Sequence, residues 1–253
     1  MFTENSKQPE NPEVTINRRK RGRPRGRTPQ GAAARLGLYN TAIELIAERG
    51  YEATTLRGVA DRAGVSVGLL YRYFQSKRAV VLALYDELSA KYAARAAEMK
   101  SGTWRDRFMF ALTTSLQVLS PHRSTLAALV PVMVGDANEG LFTSATAFSR
   151  QRVHKVFHDA VVGATDAPRS EVTAALGRLL YLVHLAIILW WLLDKSPQQR
   201  ATTALMALVR RALPACALTL RLPRARAFVV AGDKLFREAL FDDAEPQKSS
   251  SGI

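Results

Sequence analysis

Residues Thr55 to Phe74 read TLRGVADRAGVSVGLLYRYF, and this stretch decides the fold. Leu56, Val59, Ala60 and Ala63 recur at helical spacing and form one apolar face. Gly64 suits the left-handed backbone that stops a helix. Ser66 then stands at an N-cap, its hydroxyl placed to bond an orphan N–H of a second helix. That second helix is predicted over Val67 to Phe74, with Leu70 and Phe74 facing inward. Ser66, Val67, Gly68, Leu69, Tyr71, Arg72 and Tyr73 are left largely outward. A helix this short has little reason to display two tyrosines and an arginine unless it lies on something. A helix-turn-helix uses its second helix in this way, with the N-terminal end in the DNA major groove.

The surrounding residues extend the pattern from about Ala32 to Tyr92. They include Ala42-Ile43 and Leu45-Ile46, then Arg49-Gly50-Tyr51, Thr54-Thr55, Val59-Ala60, Ala63-Gly64-Val65-Ser66, Gly68, Leu70-Tyr71, Tyr73-Phe74 and Ser76-Lys77. In this register the segment resembles the DNA-binding domain of the TetR family of bacterial transcriptional regulators. The resemblance implies that Ser66, Val67, Gly68, Leu69, Tyr71, Arg72 and Tyr73 make base and phosphate contacts. It gives the phosphate backbone to Tyr71, Tyr73 and Lys77, and adds Thr55 and Arg57 to the DNA-binding set. Val67 and Leu69 depart from the family's more polar or smaller residues. Neither can hydrogen-bond a base edge, though each can touch a thymine methyl. The operator is therefore not readable from the motif.

The net charge of +14 favours a polyanionic partner. With 253 residues, 47% of them hydrophobic, the chain can bury a substantial core. Cys216 is the only cysteine, which rules out an internal disulfide and fits a reducing compartment, the bacterial cytoplasm. The polar, charged N-terminus has no apolar segment of the kind a secretory leader needs. The longest apolar run, Leu179 to Leu193, is bounded by Arg178 and Asp194. It falls short of the roughly 20 residues of a membrane span, so it reads as a buried helix and no membrane is expected.

Four regions follow from composition and breaks. Residues 1–30 form a disordered basic tail, 31–92 the helix-turn-helix domain, 93–241 a helical effector-binding and dimerisation domain, and 242–253 a second disordered tail. The fold class is all-α, a three-helix DNA-binding domain followed by a helical ligand-binding and dimerisation domain. The first helix is predicted over about Ala33 to Arg49, with Leu36, Tyr39, Ile43 and Ile46 inward. Ser76 caps a fourth helix running toward Lys100. Further helices are predicted near 103–119, 122–134, 138–164, 170–194, 198–213 and 223–241. In the family, the last long helices of two subunits pack into a four-helix bundle. Here those are about 170–194 and 198–213, unless the apolar faces are buried within one subunit. The stretch Leu182-Val183-His184-Leu185 through Trp190-Trp191 to Asp194-Lys195-Ser196-Pro197 also resembles one group of these regulators.

Arg21-Gly22-Arg23-Pro24-Arg25 resembles an AT-hook. A slim extended backbone can present Arg23 and Arg25 to an A·T-rich minor groove, whose narrowness concentrates negative potential. The plainer reading is a basic arm that grips phosphates without sequence preference. His154 and His158 share a helix face, but spare ligands are few and no metal site is assigned. Trp104, His122, Tyr181 and His184 are candidate ligand-binding residues, with Trp190 and Trp191 nearby; ordinary core packing is the alternative for each. His184, if buried, needs a hydrogen-bond partner, either a ligand or a neighbouring hydroxyl.

No phosphate-cradling loop, nucleophile elbow or cysteine cluster is present, so neither an enzyme nor a cofactor is expected. These features point to a homodimeric, sequence-specific regulator of transcription, more in the manner of a repressor. It binds double-stranded DNA and is released by an unknown small-molecule effector. Two rivals are an architectural A·T-rich DNA-binding protein without effector and a carrier of hydrophobic small molecules.

Overall fold

The computed structural model describes residues 29–135 and 140–240. Most of the expected N-terminal basic tail, Arg23 and Arg25 included, lies outside them, as does the whole of the expected C-terminal tail. The described residues form ten α-helices and no strand: α1 (Pro29–Arg49), α2 (Leu56–Arg62), α3 (Val67–Tyr71), α4 (Lys77–Ala96), α5 (Trp104–Leu119), α6 (Arg123–Gly135), α7 (Ala147–Val162), α8 (Ser170–Leu193), α9 (Arg200–Thr219) and α10 (Pro223–Leu240).

The first three helices close over Ile46, Ala60 and Leu70, none of which retains any exposure. Their boundaries are set by side chains. Thr55 accepts from Gly58 N at 3.0 Å, Ser66 from Leu69 N at 3.2 Å and Ser76 from Ala79 N at 3.1 Å. Each satisfies an N–H that its helix leaves open. Gly64, at φ 65°, makes the left-handed turn between α2 and α3, a conformation that costs glycine little.

Several expected boundaries move. The second helix of the motif ends at Tyr71, not Phe74. Arg72 N and Tyr73 N bond to the carbonyls three residues back, Leu69 and Leu70, at 3.2 and 2.9 Å. This tightened turn still carries Phe74 into the core, where it is 2% exposed. On α1, Leu36 is 57% exposed, whereas Leu38 and Leu45 join Tyr39, Ile43 and Ile46 inside. The adjacent Arg35 lies over Phe74 instead, its guanidinium 5.0 Å from the ring centroid. α4 stops at Ala96, short of Lys100.

The long helix expected from 138 begins only at Ala147. Ahead of it, the Thr146 hydroxyl donates to the carbonyls of Leu141 and Thr143 at 2.7 and 3.0 Å. Such local side-chain bonds compete with helix formation. α9 runs through Pro214 to Thr219 instead of ending near 213. Pro214 is exposed, so water can reach the backbone left unpaired by its missing N–H.

The C-terminal helices pack around α8. Two segments, Glu171–Leu193 and Pro197–Thr219, are long and apolar enough to cross a membrane by length and composition; the first is 56% buried here and the second 11%. α8 is thus a core helix of the fold. Its C-terminal carbonyls are capped by Arg123, which donates to Trp191 O and Asp194 O at 3.0 and 2.7 Å. The following turn hangs on Asp194. Its carboxylate accepts from the Ser196 and Thr202 backbones and hydroxyls at 2.6 to 2.9 Å. These bonds hold that carboxyl well below the usual carboxylate range and fix Gln198 and Gln199 at φ 53° and 56°. Farther along, Arg178 clasps Asp233 through two bonds of 2.5 and 2.8 Å, joining α8 to α10.

Candidate nucleic-acid interface and buried cavity

The outer side of α2 and α3 carries most of the expected DNA-binding residues. Thr55, Arg57, Ser66, Gly68, Tyr71 and Arg72 are exposed, and Tyr71 leaves 51% of its surface to solvent. A large aromatic residue left open on a five-residue helix is free to lie on a partner. Val67, Leu69 and Tyr73, read as outward from the sequence, are half-buried. Val67 and Tyr73 pack against the core, because α3 is too short to support itself without burying both of its flanks.

Lys77 is also turned inward. Its ammonium donates to Tyr51 O at 2.5 Å and sits 3.9 Å from the centroid of the Tyr51 ring. The charge expected on a phosphate thus clamps the start of α4 to the α1–α2 loop.

The second feature is a cavity of about 110 Å³ in the C-terminal region. α4 contributes Tyr85, Ser89 and Tyr92; α5 contributes Ser115; α8 contributes Tyr181 and His184. Of the four expected ligand residues, Tyr181 and His184 therefore line it. Trp104 does not: it is buried at the start of α5 and borders a separate apolar groove between α8, α9 and α10. His122 lies near Glu87 and is half-buried, outside the cavity. Trp190 is 51% exposed. Trp191 is buried and donates its Nε1–H to Gln199 at 2.7 Å.

His184 has the hydroxyl partner expected of a buried ring, with its Nε2 2.8 Å from Ser115 Oγ. Its Nδ1 has none. Burial drives its pKa down to about 3, so the ring is neutral at ordinary pH. Tyr92 stacks on it, centroids 6.2 Å apart and planes 4° from parallel. The Tyr92 hydroxyl is likewise buried without a partner, and burial raises its pKa.

The sequence reading missed Tyr92 and Ser115. A signal for Tyr92 was present, since Tyr85, Leu88, Ser89 and Tyr92 recur at helical spacing on α4. Ser115 carried no such mark. His154 and His158 face each other at 6.4 Å between centroids, and among the described residues no cluster of three or more metal-ligating side chains forms.

Residues 38–84 match the family described as bacterial regulatory proteins, tetR family. The fatty acid metabolism regulator protein of Bacillus subtilis (strain 168) is 29% identical over 108 residues, 42% of this chain and 48% of that protein. The HTH-type transcriptional repressor KstR2 of Rhodococcus jostii (strain RHA1) is 38% identical over 98 residues, 37% of this chain and 47% of that one. The chain thus spans about half the length of the curated relatives it matches. Among solved structures, a tetR-family regulator from Streptomyces coelicolor aligns with 81% of this chain and 89% of its own at a TM-score of 0.56 and 18% identity. The regulator FadR from Bacillus subtilis, in complex with stearoyl-CoA, aligns with 69% and 96% at 0.55 and 16%. At those identities the likeness concerns the fold. The family match falls on the same helices that expose Ser66, Gly68, Tyr71 and Arg72, so over residues 38–84 this chain carries a helix-turn-helix domain of the tetR type.

Proposed function

We propose that this protein is a dimeric, sequence-specific DNA-binding regulator, a repressor that leaves its operator when a small molecule fills the cavity. The observation that carries this reading is the position of α4. It starts at Lys77, clamped to Tyr51 beside the helix-turn-helix, and one turn after another it lines the cavity with Tyr85, Ser89 and Tyr92. A change in cavity volume bears directly on a helix that holds the DNA-binding helices in place. α6 gives a second connection: Thr125 Oγ1 reaches Ile43 O of α1 at 3.5 Å, and Leu126 of the same helix lines the cavity. Repression also accords with the relatives named as transcriptional repressors.

Recognition rests on Ser66, Gly68, Tyr71 and Arg72 in the major groove, with Thr55 and Arg57 toward the backbone. A dimer places two such helices about 34–36 Å apart on a near-palindromic site. To empty that site, the effector must prefer the released arrangement by several kcal/mol. The arginine-rich segment around Arg23 and Arg25 adds affinity and salt dependence.

Selection of bound fragments from random DNA at about 150 mM salt tests this, because exposed charges are then screened beyond about 8 Å. Recovery of a palindrome with half-sites about one turn apart is the expected result. Recovery of A·T-rich fragments without a palindrome would favour an architectural role led by the tail.

A further inference from the structure

The cavity is built for one kind of molecule. Its lining is apolar except at a few atoms, and two of those stand out. Tyr92 and His184 are 3% and 4% exposed, yet Tyr92 Oη and His184 Nδ1 have no hydrogen-bond partner. Buried polar groups left unpaired are costly and uncommon, so a pair of them on one small cavity marks the place of a missing polar atom.

Their chemistry narrows that atom. If Ser115 donates to His184 Nε2, then Nδ1 carries the proton and donates; if Nε2 donates to Ser115, then Nδ1 accepts. A tyrosine hydroxyl also works in either sense. The two groups can therefore take a hydroxyl or a carbonyl oxygen. Neither carries charge. A carboxylate or phosphate placed between them would meet no positive charge on either group, and burying a charge that its contacts do not neutralise costs far more than burying a neutral group. The guanidinium on the cavity wall, Arg150 of α7, is engaged by the carbonyls of Leu141 and Thr143, to which it donates at 3.1 Å.

Size narrows the rest. An engineered cavity of about 150 Å³ in another protein accepts benzene. A volume of about 110 Å³ is on the scale of one six-membered ring.

We propose that the effector is an uncharged, single-ring molecule bearing one hydroxyl or carbonyl, whose oxygen meets Tyr92 Oη and His184 Nδ1. This rests on the effector reading above and specifies its ligand class. It sets the chain apart from the relative crystallised with stearoyl-CoA.

The test is calorimetric titration of the full chain with p-cresol, toluene, benzoate and palmitate. p-Cresol is expected to bind at least tenfold more tightly than toluene, with no binding of benzoate or palmitate at the same concentrations. Tyr92→Phe, which removes one oxygen, should weaken p-cresol about fivefold and leave toluene unchanged. Tyr92→Phe combined with His184→Leu should bring p-cresol to the toluene level, with retained toluene binding showing that the cavity is intact. Equal affinity for p-cresol and toluene, tighter binding of either anion, or no binding of any probe overturns the proposal. DNA binding by the same preparation is read separately. Release of DNA by palmitate with no p-cresol binding would leave an effector-controlled regulator standing and remove this ligand class.

Discussion

Lys77 donates to the carbonyl of Tyr51 at 2.5 Å while its ammonium lies 3.9 Å from the centroid of the Tyr51 ring. This single side chain ties the first turn of α4 to the loop between α1 and α2, the joint between the DNA-binding helices and the cavity. Lys77→Met should lower stability by about 1 kcal/mol, the scale of one partly exposed hydrogen bond to a charged group. Affinity for a selected DNA site should also fall. The slope of log affinity against log salt should not change. A slope reduced by about one would return Lys77 to the phosphate backbone.

Tyr71 and Leu70 are neighbours with opposite roles. Tyr71 is 51% exposed and Leu70 fully buried. Tyr71→Ala should abolish specific DNA binding with less than about 0.5 kcal/mol of stability lost, as for most exposed sites. Leu70→Ala should cost about 2–5 kcal/mol through a cavity in the small core. Urea denaturation and fluorescence anisotropy on labelled DNA separate the two effects.

α9 is the helix to probe for dimerisation. Leu205, a natural first choice, is half-buried against the core, so a charge there perturbs the fold as well. Leu208 is 63% exposed on a helix only 11% buried over its apolar window. Leu208→Glu should raise the monomer fraction in sedimentation with thermal unfolding of the monomer unchanged. An unaltered dimer would move the interface off this face.

Asp233 is 6% exposed and held by Arg178 through two short bonds. Arg178 keeps about a quarter of its side chain in solvent, so losing the pair costs about 1–3 kcal/mol, the scale of hydrogen bonds to a charged group. Asp233→Ala should therefore destabilise on that scale and expose α10 to limited proteolysis. Replacing both residues by apolar ones should recover much of the loss.

Stability should fall between pH 7 and pH 5. His184 has a folded pKa of about 3 against 6.5 for the free side chain. Its contribution is present above pH 6.5 and is lost as the unfolded chain takes up a proton at lower pH. Between pH 7 and pH 5 this removes about 2 kcal/mol, at 1.36 kcal/mol per unit. His154 and His122, also lowered by burial, act in the same direction. Urea titrations at the two pH values should show a drop that is smaller by about 2 kcal/mol in His184→Gln.

The motif from Thr55 to Phe74 was legible because its signals are local. Caps at Thr55, Ser66 and Ser76, the left-handed Gly64 and the inward Leu70 and Phe74 each depend on a few adjacent residues. The apolar run ending at Leu193 declared a buried helix for the same reason. Its composition suits burial wherever the partners lie.

What tertiary structure decided was which polar groups meet. Ser115 and His184 are 69 positions apart, and nothing in either neighbourhood announces the other. Trp104 and His122 have the right chemistry for a ligand site, yet α5 carries Trp104 to another groove and the short turn before α6 leaves His122 outside. Lys77 has the charge to hold a phosphate but turns onto Tyr51, 26 residues earlier. Helical periodicity and capping are written in short windows of sequence. The pairing of a buried imidazole with a hydroxyl, and the space left beside them, exists only once α4, α5 and α8 have packed.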